Sequence, residues 1–250
     1  MVRVIMHGAG GYMGAVVTEF AGKDPETEIV AGVDVRTDAV RPYPVYASLA
    51  DCPEADAIID FSTAKAVDGL LEYAVSKELP LVLCTTGLSE EQLAKVEEAS
   101  KATAILRSAN MSLGVNLLLK LLREASGTLT ANGFDPEIIE MHHRRKIDAP
   151  SGTAIALADA VNEGSGNQYH YVYDRTTRRE ARGDREMGIS AVRGGTIVGV
   201  HDVLFAGQDE VIEFTHTAYS RAIFGKGAVA AAKFLAGRGA GLYDMADVIG

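Results

Sequence analysis

The chain has 250 residues, 47% of them apolar and 23% charged, with no Trp; this is the balance of a globular enzyme with room for two modest domains, and it excludes fibrous and disordered classes. A formal charge of -10 makes the molecule as a whole repel nucleic acid and anionic membrane surfaces, so neither is an expected partner and any bound anion must be held locally. Cys52 and Cys84 form no CxxC pair, no apolar run reaches the roughly 20 residues of a membrane helix, and the first residues read straight into a strand without a signal peptide, so a reducing cytoplasm is expected.

From the start to residue 110, short apolar runs alternate with helical patterns, the signature of βαβ units on a doubly wound parallel sheet. The runs predict strands at Arg3 to His7, Glu28 to Asp34, Ala57 to Phe61, Leu81 to Cys84 and Ala104 to Arg107, with helices over Gly14 to Gly22, Lys65 to Ser76 and Glu90 to Lys101. The first strand runs into Gly8-Ala9-Gly10-Gly11-Tyr12-Met13-Gly14, where a tight turn and close approach to a pyrophosphate both require missing side chains. The helix that follows offers free N–H groups and a positive dipole end to those phosphates. Asp34 ends the second strand 20 residues after Gly14, where a carboxylate accepts the hydroxyls of an adenine ribose. Strand, turn, helix, strand and acid together predict a Rossmann fold that binds NADH or NADPH. Asp34 repels a 2'-phosphate and Arg36 attracts one, and the lean is towards NADH with NADPH accepted.

After Asn110 the pattern changes, which sets a second, α+β domain over 111–219 against a Rossmann domain of 1–110 completed by 220–250. A helix is predicted at Leu113 to Ser126, a strand at Glu137 to Met141, a polar loop from His142 to Pro150 and a helix opening at Ser151-Gly152-Thr153. Residues 166–187 read as a functional or mobile loop. Ile197 to Phe205 and Val211 to Thr217 alternate with period two around Gly207-Gln208-Asp209, as in a hairpin. Ser220 to Gly237 is an Ala-rich helix, and Tyr243-Asp244-Met245 lies in a short tail.

His142-His143-Arg144-Arg145-Lys146 places five cationic or potentially cationic residues in a row inside an acidic chain, a local anion trap. Ser151 is a natural helix N-cap, Gly152 lets a carboxylate approach the backbone, and the Thr153 hydroxyl adds a donor. A basic run facing a helix N-terminus suits a small dicarboxylate substrate. His142 or His143 titrates near neutrality, and Lys146 is a proton donor whose pKa neighbouring cations would lower. No metal-ligand cluster or nucleophile elbow competes for the role, and His170, His201 and His216 read as surface or sheet residues.

The sequence resembles the dihydrodipicolinate reductases (4-hydroxy-tetrahydrodipicolinate reductases) of bacterial and plant lysine and diaminopimelate synthesis. The resemblance rests on the glycine turn, Asp60-Phe61-Ser62, Thr85-Thr86-Gly87, Ala109-Asn110-Met111-Ser112-Leu113-Gly114-Val115-Asn116, the block from Glu140 to Ala154, and Arg193-Gly194-Gly195. It implies that His142 is the catalytic histidine, Lys146 the proton donor, and His143, Gly152 and Thr153 the substrate-carboxylate site, with Ser151, the cap of the same helix, counted among the substrate-binding residues. It also implies that Cys84, Thr85, Thr86, Ser108, Ala109, Asn110 and Met111 lie beside the nicotinamide, and that sheets of the second domain, which are mixed in this family, build a homotetramer. Cys84 stands where a glycine is usual, Ser108 where proline or alanine is, and Val35 where some members carry arginine. An aspartate or homoserine dehydrogenase would not call for the Ser151-Gly152-Thr153 loop after a histidine pair.

Overall fold

In the computed structural model, which describes residues 1–173 and 175–250, the chain divides into two units: Met1–Leu113 with Ala222–Gly250, and Gly114–Arg221. The first unit opens with β1 (Val2–His7), α1 (Tyr12–Ala21), β2 (Thr27–Val33), β3 (Val45–Tyr46), β4 (Ala57–Asp60), α2 (Val67–Ser76), β5 (Leu81–Leu83), α3 (Glu90–Ser100) and β6 (Ala104–Arg107). Their apolar runs are nearly continuous because helices cover both faces of the sheet; every residue of β4 is buried, Asp60 included. Val4 and Met6 of β1 point to one core and Ile5 to the other, as a period of two demands.

The second unit begins with α4 (Leu113–Ala131) and β7 (Asp135–His142), then α5 (Gly152–Gly164), β8 (His170–Val172), β9 (Glu186–Arg193), β10 (Gly199–Ala206) and β11 (Val211–Ala218). Its five strands form a mixed sheet in the order β11-β10-β7-β9-β8, with β10 antiparallel to both β11 and β7, and β9 parallel to β7 and β8. β7 alternates strictly, burying Pro136, Ile138, Glu140 and His142 on one face. Leu118 and Leu122 of α4 and Leu157 and Val161 of α5 pack there with Val203 and Phe205. The opposite face carries Ile139, Met141, Val200 and Leu204, none of them fully buried.

The chain then returns to the first unit through α6 (Ala222–Leu235), β12 (Gly241–Tyr243) and α7 (Met245–Ile249). Seven parallel strands result, ordered β12-β6-β5-β4-β1-β2-β3. Read from the β3 edge, this is the doubly wound order with one strand added. The α/β class and the mixed second sheet agree with the sequence reading.

Two differences have physical causes. The stretch 166–187 was expected as a loop, yet it contains β8 and the start of β9, because arginines tie it down: Arg175 and Arg178 pair with Glu186, and Arg182 bonds Asp135 and Glu137 at 2.8 Å each. The tail after residue 237 contributes β12, whose three residues extend the sheet edge beside β6. None of these three strands has enough apolar alternation to announce itself.

Candidate functional site

The first cluster lies at the carboxyl ends of β1, β2 and β4. Gly8 has a φ of +85°, and a Cβ there would sit 2.5 Å from the Phe61 carbonyl oxygen; one on Gly14 would sit 2.6 Å from that of Gly8. Side chains are therefore excluded where strand, turn and helix meet. α1 begins at Tyr12 behind Gly11, with no side-chain cap on its first N–H groups. Asp34 accepts hydrogen bonds from the Gly10 N–H (2.8 Å) and the Arg36 N–H (3.0 Å). The Arg36 guanidinium donates to the Gly10 carbonyl at 3.1 Å, and Arg41 donates to the carbonyls of Ala9 (2.9 Å) and Val40 (2.8 Å). At the end of β4 the buried Asp60 carboxylate holds His7 Nδ1 at 2.7 Å and the Ser62 N–H at 3.1 Å. Burial, reinforced by the Asp60 charge, holds the Cys84 thiol well above its usual pKa. Ser108 donates to the Asn110 carbonyl, and the Asn110 side chain accepts the Ser112 N–H, which fixes the turn after β6.

The second cluster is built on β7 by a spacing of two. Glu140 and His142 project to the same buried face, and His142 Nδ1 lies 2.7 Å from a Glu140 oxygen. Arg193 of β9 grips the same carboxylate with both terminal nitrogens, at 2.6 and 2.7 Å, and the Ser151 N–H donates to it at 2.9 Å. Burial alone would raise the Glu140 carboxyl, but bonds from Arg193, His142 and Ser151 outweigh it and hold the group below the usual carboxylate range. His142 is pulled down by burial and by the charges of Lys146 and Arg193, against the opposing effect of Glu140. Ser151 caps α5 by accepting the Ala154 N–H at 3.1 Å, and its hydroxyl meets His201 Nε2 at 2.8 Å. His201 crosses His142 edge to face at 5.1 Å, and burial, with His142 next, drives its pKa down to about 4.

The basic loop between β7 and α5 is tied back by Arg193-Gly194-Gly195. Gly194 N–H donates to the His142 carbonyl (2.9 Å), Arg144 N–H to that of Gly195 (3.3 Å), and the Arg193 guanidinium to that of Asp148 (2.7 Å). The Lys146 ammonium pairs with the Asp148 carboxylate at 2.8 Å. Arg144 and Arg145 are exposed, Ile147 is 99% exposed, and His143 Nδ1 is buried with no partner among the described residues.

Residues 2–111 match the family described as dihydrodipicolinate reductase, N-terminus, and residues 114–249 the one described as dihydrodipicolinate reductase, C-terminus. The chain belongs to the dihydrodipicolinate reductase family. It is 53% identical over its whole length to the 4-hydroxy-tetrahydrodipicolinate reductase of Caldanaerobacter subterraneus subsp. tengcongensis, covering 98% of that protein. Against the enzyme of the same name from Clostridium novyi the identity is 43%, again over the whole chain and 98% of the relative. A solved dipicolinate-bound dihydrodipicolinate reductase from Paenisporosarcina sp. TG-14 shares the fold, with a TM-score of 0.82 at 24% identity over 100% of this chain and 99% of that one. The resemblance read from the sequence thus holds at the level of family and fold.

Within this dihydrodipicolinate reductase family member, the structure gathers His142, His143, Lys146, Ser151, Gly152 and Thr153 on one loop and the helix start that follows it. The glycine turn and Asp34 meet at one end of the parallel sheet, where β4 and β5 also bring Asp60, Cys84 and Thr85. Sequence reasoning missed Arg41, which has no motif spacing, and treated Glu140 and Arg193 only as parts of quoted blocks. His201 is the sheet residue it was taken to be, yet its ring lies against His142, and only the strand register reveals this. The expected surroundings of Lys146 need correction: its bonded partner is the Asp148 carboxylate, so the basic run is not an unbroken cationic patch.

Proposed function

We propose that His142, Lys146 and the first turn of α5 form the reacting and carboxylate-binding site of an NAD(P)H-dependent reduction of 4-hydroxy-tetrahydrodipicolinate, through dihydrodipicolinate, to tetrahydrodipicolinate. The observation that carries this reading is the buried Glu140, which holds a histidine, an arginine and the cap of α5 beneath an exposed basic loop in an acidic chain. His143, Ser151, Gly152 and Thr153 would take one substrate carboxylate, through side chains and through the N–H groups at the helix start. Lys146 supplies the proton that neutralises charge on the reduced ring, after exchanging Asp148 for the substrate, and His142 orients that ammonium.

The residues of the parallel sheet fit a dinucleotide. A Cβ would fill the cradle at Gly8 and Gly14, and the α1 N–H groups are uncapped by any side chain, so Gly8, Ala9, Gly10, Gly11, Tyr12 and Met13 would hold the pyrophosphate and Asp34 the ribose. Cys84, Thr85, Thr86, Ser108, Ala109, Asn110 and Met111 would line the nicotinamide. The bound dinucleotide supplies hydride. Asp34 favours NADH, while Arg36 and Arg41 beside it let NADPH be accepted.

The partially covered apolar face of the mixed sheet, with Ile139, Met141, Val200 and Leu204, supports a homotetramer, and we place the enzyme in the cytoplasm. No helix among the described residues is long and apolar enough to cross a membrane. The test is direct: purified protein should oxidise NADH when the condensation product of pyruvate and aspartate semialdehyde is supplied, and a pyridine dicarboxylate should compete. No oxidation with either dinucleotide defeats the reading; sedimentation as a monomer at assay concentration defeats the tetramer alone.

A further inference from the structure

We propose that Glu140 is a positioning residue that fixes His142 in the Nδ1–H tautomer and locks it in register with the N-terminus of α5. The inference rests on the reading of His142 as a reacting residue. Glu140 is fully buried, and its carboxylate receives four donors: the two terminal nitrogens of Arg193, the Ser151 N–H and His142 Nδ1. An ionised carboxylate can only accept hydrogen bonds, so the proton of a neutral His142 must sit on Nδ1. Nε2 then carries a lone pair.

This assignment divides the chemical labour. An Nε2 lone pair can accept a hydrogen bond from the Lys146 ammonium or from a ligand N–H or O–H, and it cannot itself donate one until the ring is protonated. The ring is also confined, with His201 crossing its edge and the Gly199 backbone so close that a Cβ there would lie 3.1 Å from Nε2. Arg193 matters for a different reason. By neutralising Glu140 it keeps that carboxylate from turning His142 into a permanent imidazolium, which a lone buried Glu beside a histidine would favour.

The same carboxylate reaches the other half of the site. One oxygen holds the Ser151 N–H, immediately before Gly152 and Thr153, and the other holds the imidazole. A single side chain therefore sets the distance between the histidine and the turn that would bind a carboxylate. Replacement by glutamine keeps the shape but offers one acceptor oxygen to four donors, and turns an N–H₂ towards at least one of them.

Ring ¹⁵N NMR of the ¹⁵N-histidine-labelled, full-length protein, with the His142 signals assigned by their loss in His142→Gln, reads the tautomer without disturbing Glu140. The Nδ1–H form is expected near neutral pH; an Nε2–H form overturns the proposal. In Glu140→Gln, kcat at saturating substrate and dinucleotide should fall roughly 10- to 100-fold, the scale of losing a partner that orients a ligating or reacting histidine. The His142 titration should also move to lower pH, because among the groups facing the ring only Glu140 raises it, while Lys146 of the loop and Arg193 of β9 lower it and His201 of β10 shares the burial. A purely structural Glu140 predicts a lower Tm with kcat within about two-fold and an unshifted pH profile, and that result refutes the proposal. If Glu140→Gln does not fold, the wild-type tautomer decides. A full kcat in His142→Gln would instead remove the underlying reading of His142, and the two failures are thereby told apart.

Discussion

If Asp34 holds the adenine ribose as proposed, removing its carboxylate should weaken NADH binding far more than NADPH binding. The Asp34 carboxylate has about four acceptor positions, and the Gly10 and Arg36 N–H groups use two of them, so two remain for the hydroxyls of a ribose. Hydrogen bonds to a charged group are worth about 1.5–3 kcal/mol each, but this one is half-exposed and partly screened. For Asp34→Ala we therefore expect a loss of about 1.5–3 kcal/mol in NADH binding, or roughly 10- to 150-fold in Kd. NADPH has no 2'-hydroxyl to lose, and the bond lost from its 3'-hydroxyl is offset by removal of a carboxylate that repels its 2'-phosphate by about 1 kcal/mol at solvent-like dielectric, while Arg36 and Arg41 remain. Its Kd should stay within about three-fold. Fluorescence or calorimetric titration of each dinucleotide at a fixed salt concentration measures both. Because Asp34 also holds the Gly10 N–H, the variant could loosen the whole turn. An equal loss for NADH and NADPH would carry that signature and refute the ribose assignment.

Lys146→Met should lower kcat by about 100-fold or more with NADH binding intact, the usual scale for a lost general acid; a near-normal kcat at high substrate would mean that another group supplies the proton. Thr153→Val keeps the shape and removes the hydroxyl, so KM for the substrate should rise several-fold while the Kd for NADH holds, and an unchanged KM moves the carboxylate elsewhere. His201 titrates at about 4 when folded, against about 6.5 when unfolded. Below pH 6.5 the unfolded chain takes up a proton that the folded one refuses, so stability should fall as pH drops from about 6.5 to 4 and level off for this group below that. Urea unfolding of His201→Asn should show a flatter dependence across that window, and an identical slope would exclude the cause.

The parallel sheet was legible because its strands are buried on both faces and write long apolar runs: Ala57 to Asp60 and Leu81 to Leu83 declare themselves without help from alternation. The hairpin of β10 and β11 was legible for the opposite reason, since one covered face gives a clean period of two around the turn in which Asp209 takes a φ of +65°. β3, β8, β9 and β12 were not. β9 carries Ser190, Ala191 and Val192, all exposed, before its last residue Arg193, and begins at Glu186, whose burial depends on Arg175 and Arg178 from a loop whose pairing leaves no periodic trace. The site divides in the same way. Ser151-Gly152-Thr153 could be read as a cap and an anion site because capping is local in sequence. The partners of Glu140 lie 2, 11 and 53 residues away, and only the register of β7 against β9, which sets His142 opposite Arg193, brings the farthest of them into contact.

That register also resolves an apparent conflict between a chain of charge -10 and an anionic substrate. Glu140 is bonded to the histidine, and left alone it would repel the ligand; held bidentate by Arg193, its charge is largely offset beyond its immediate neighbours. What remains around the loop is Arg144, Arg145 and Lys146 against Asp148, a net of two positive charges, equal and opposite to a dicarboxylate. The acidic groups elsewhere on the molecule are screened over a Debye length of about 8 Å at physiological salt, so attraction at close range comes from this loop and the N-terminus of α5 beside it. Asp148 serves in two ways here. In the proposed site it would offset one charge of the loop until substrate arrives, and it holds Lys146 by a bond that a substrate carboxylate, bearing the same chemistry, could replace. On the proposed reading the ammonium would thereby be kept hydrogen-bonded beside the site, and its transfer from one carboxylate to another would cost little because the bond lost resembles the bond made.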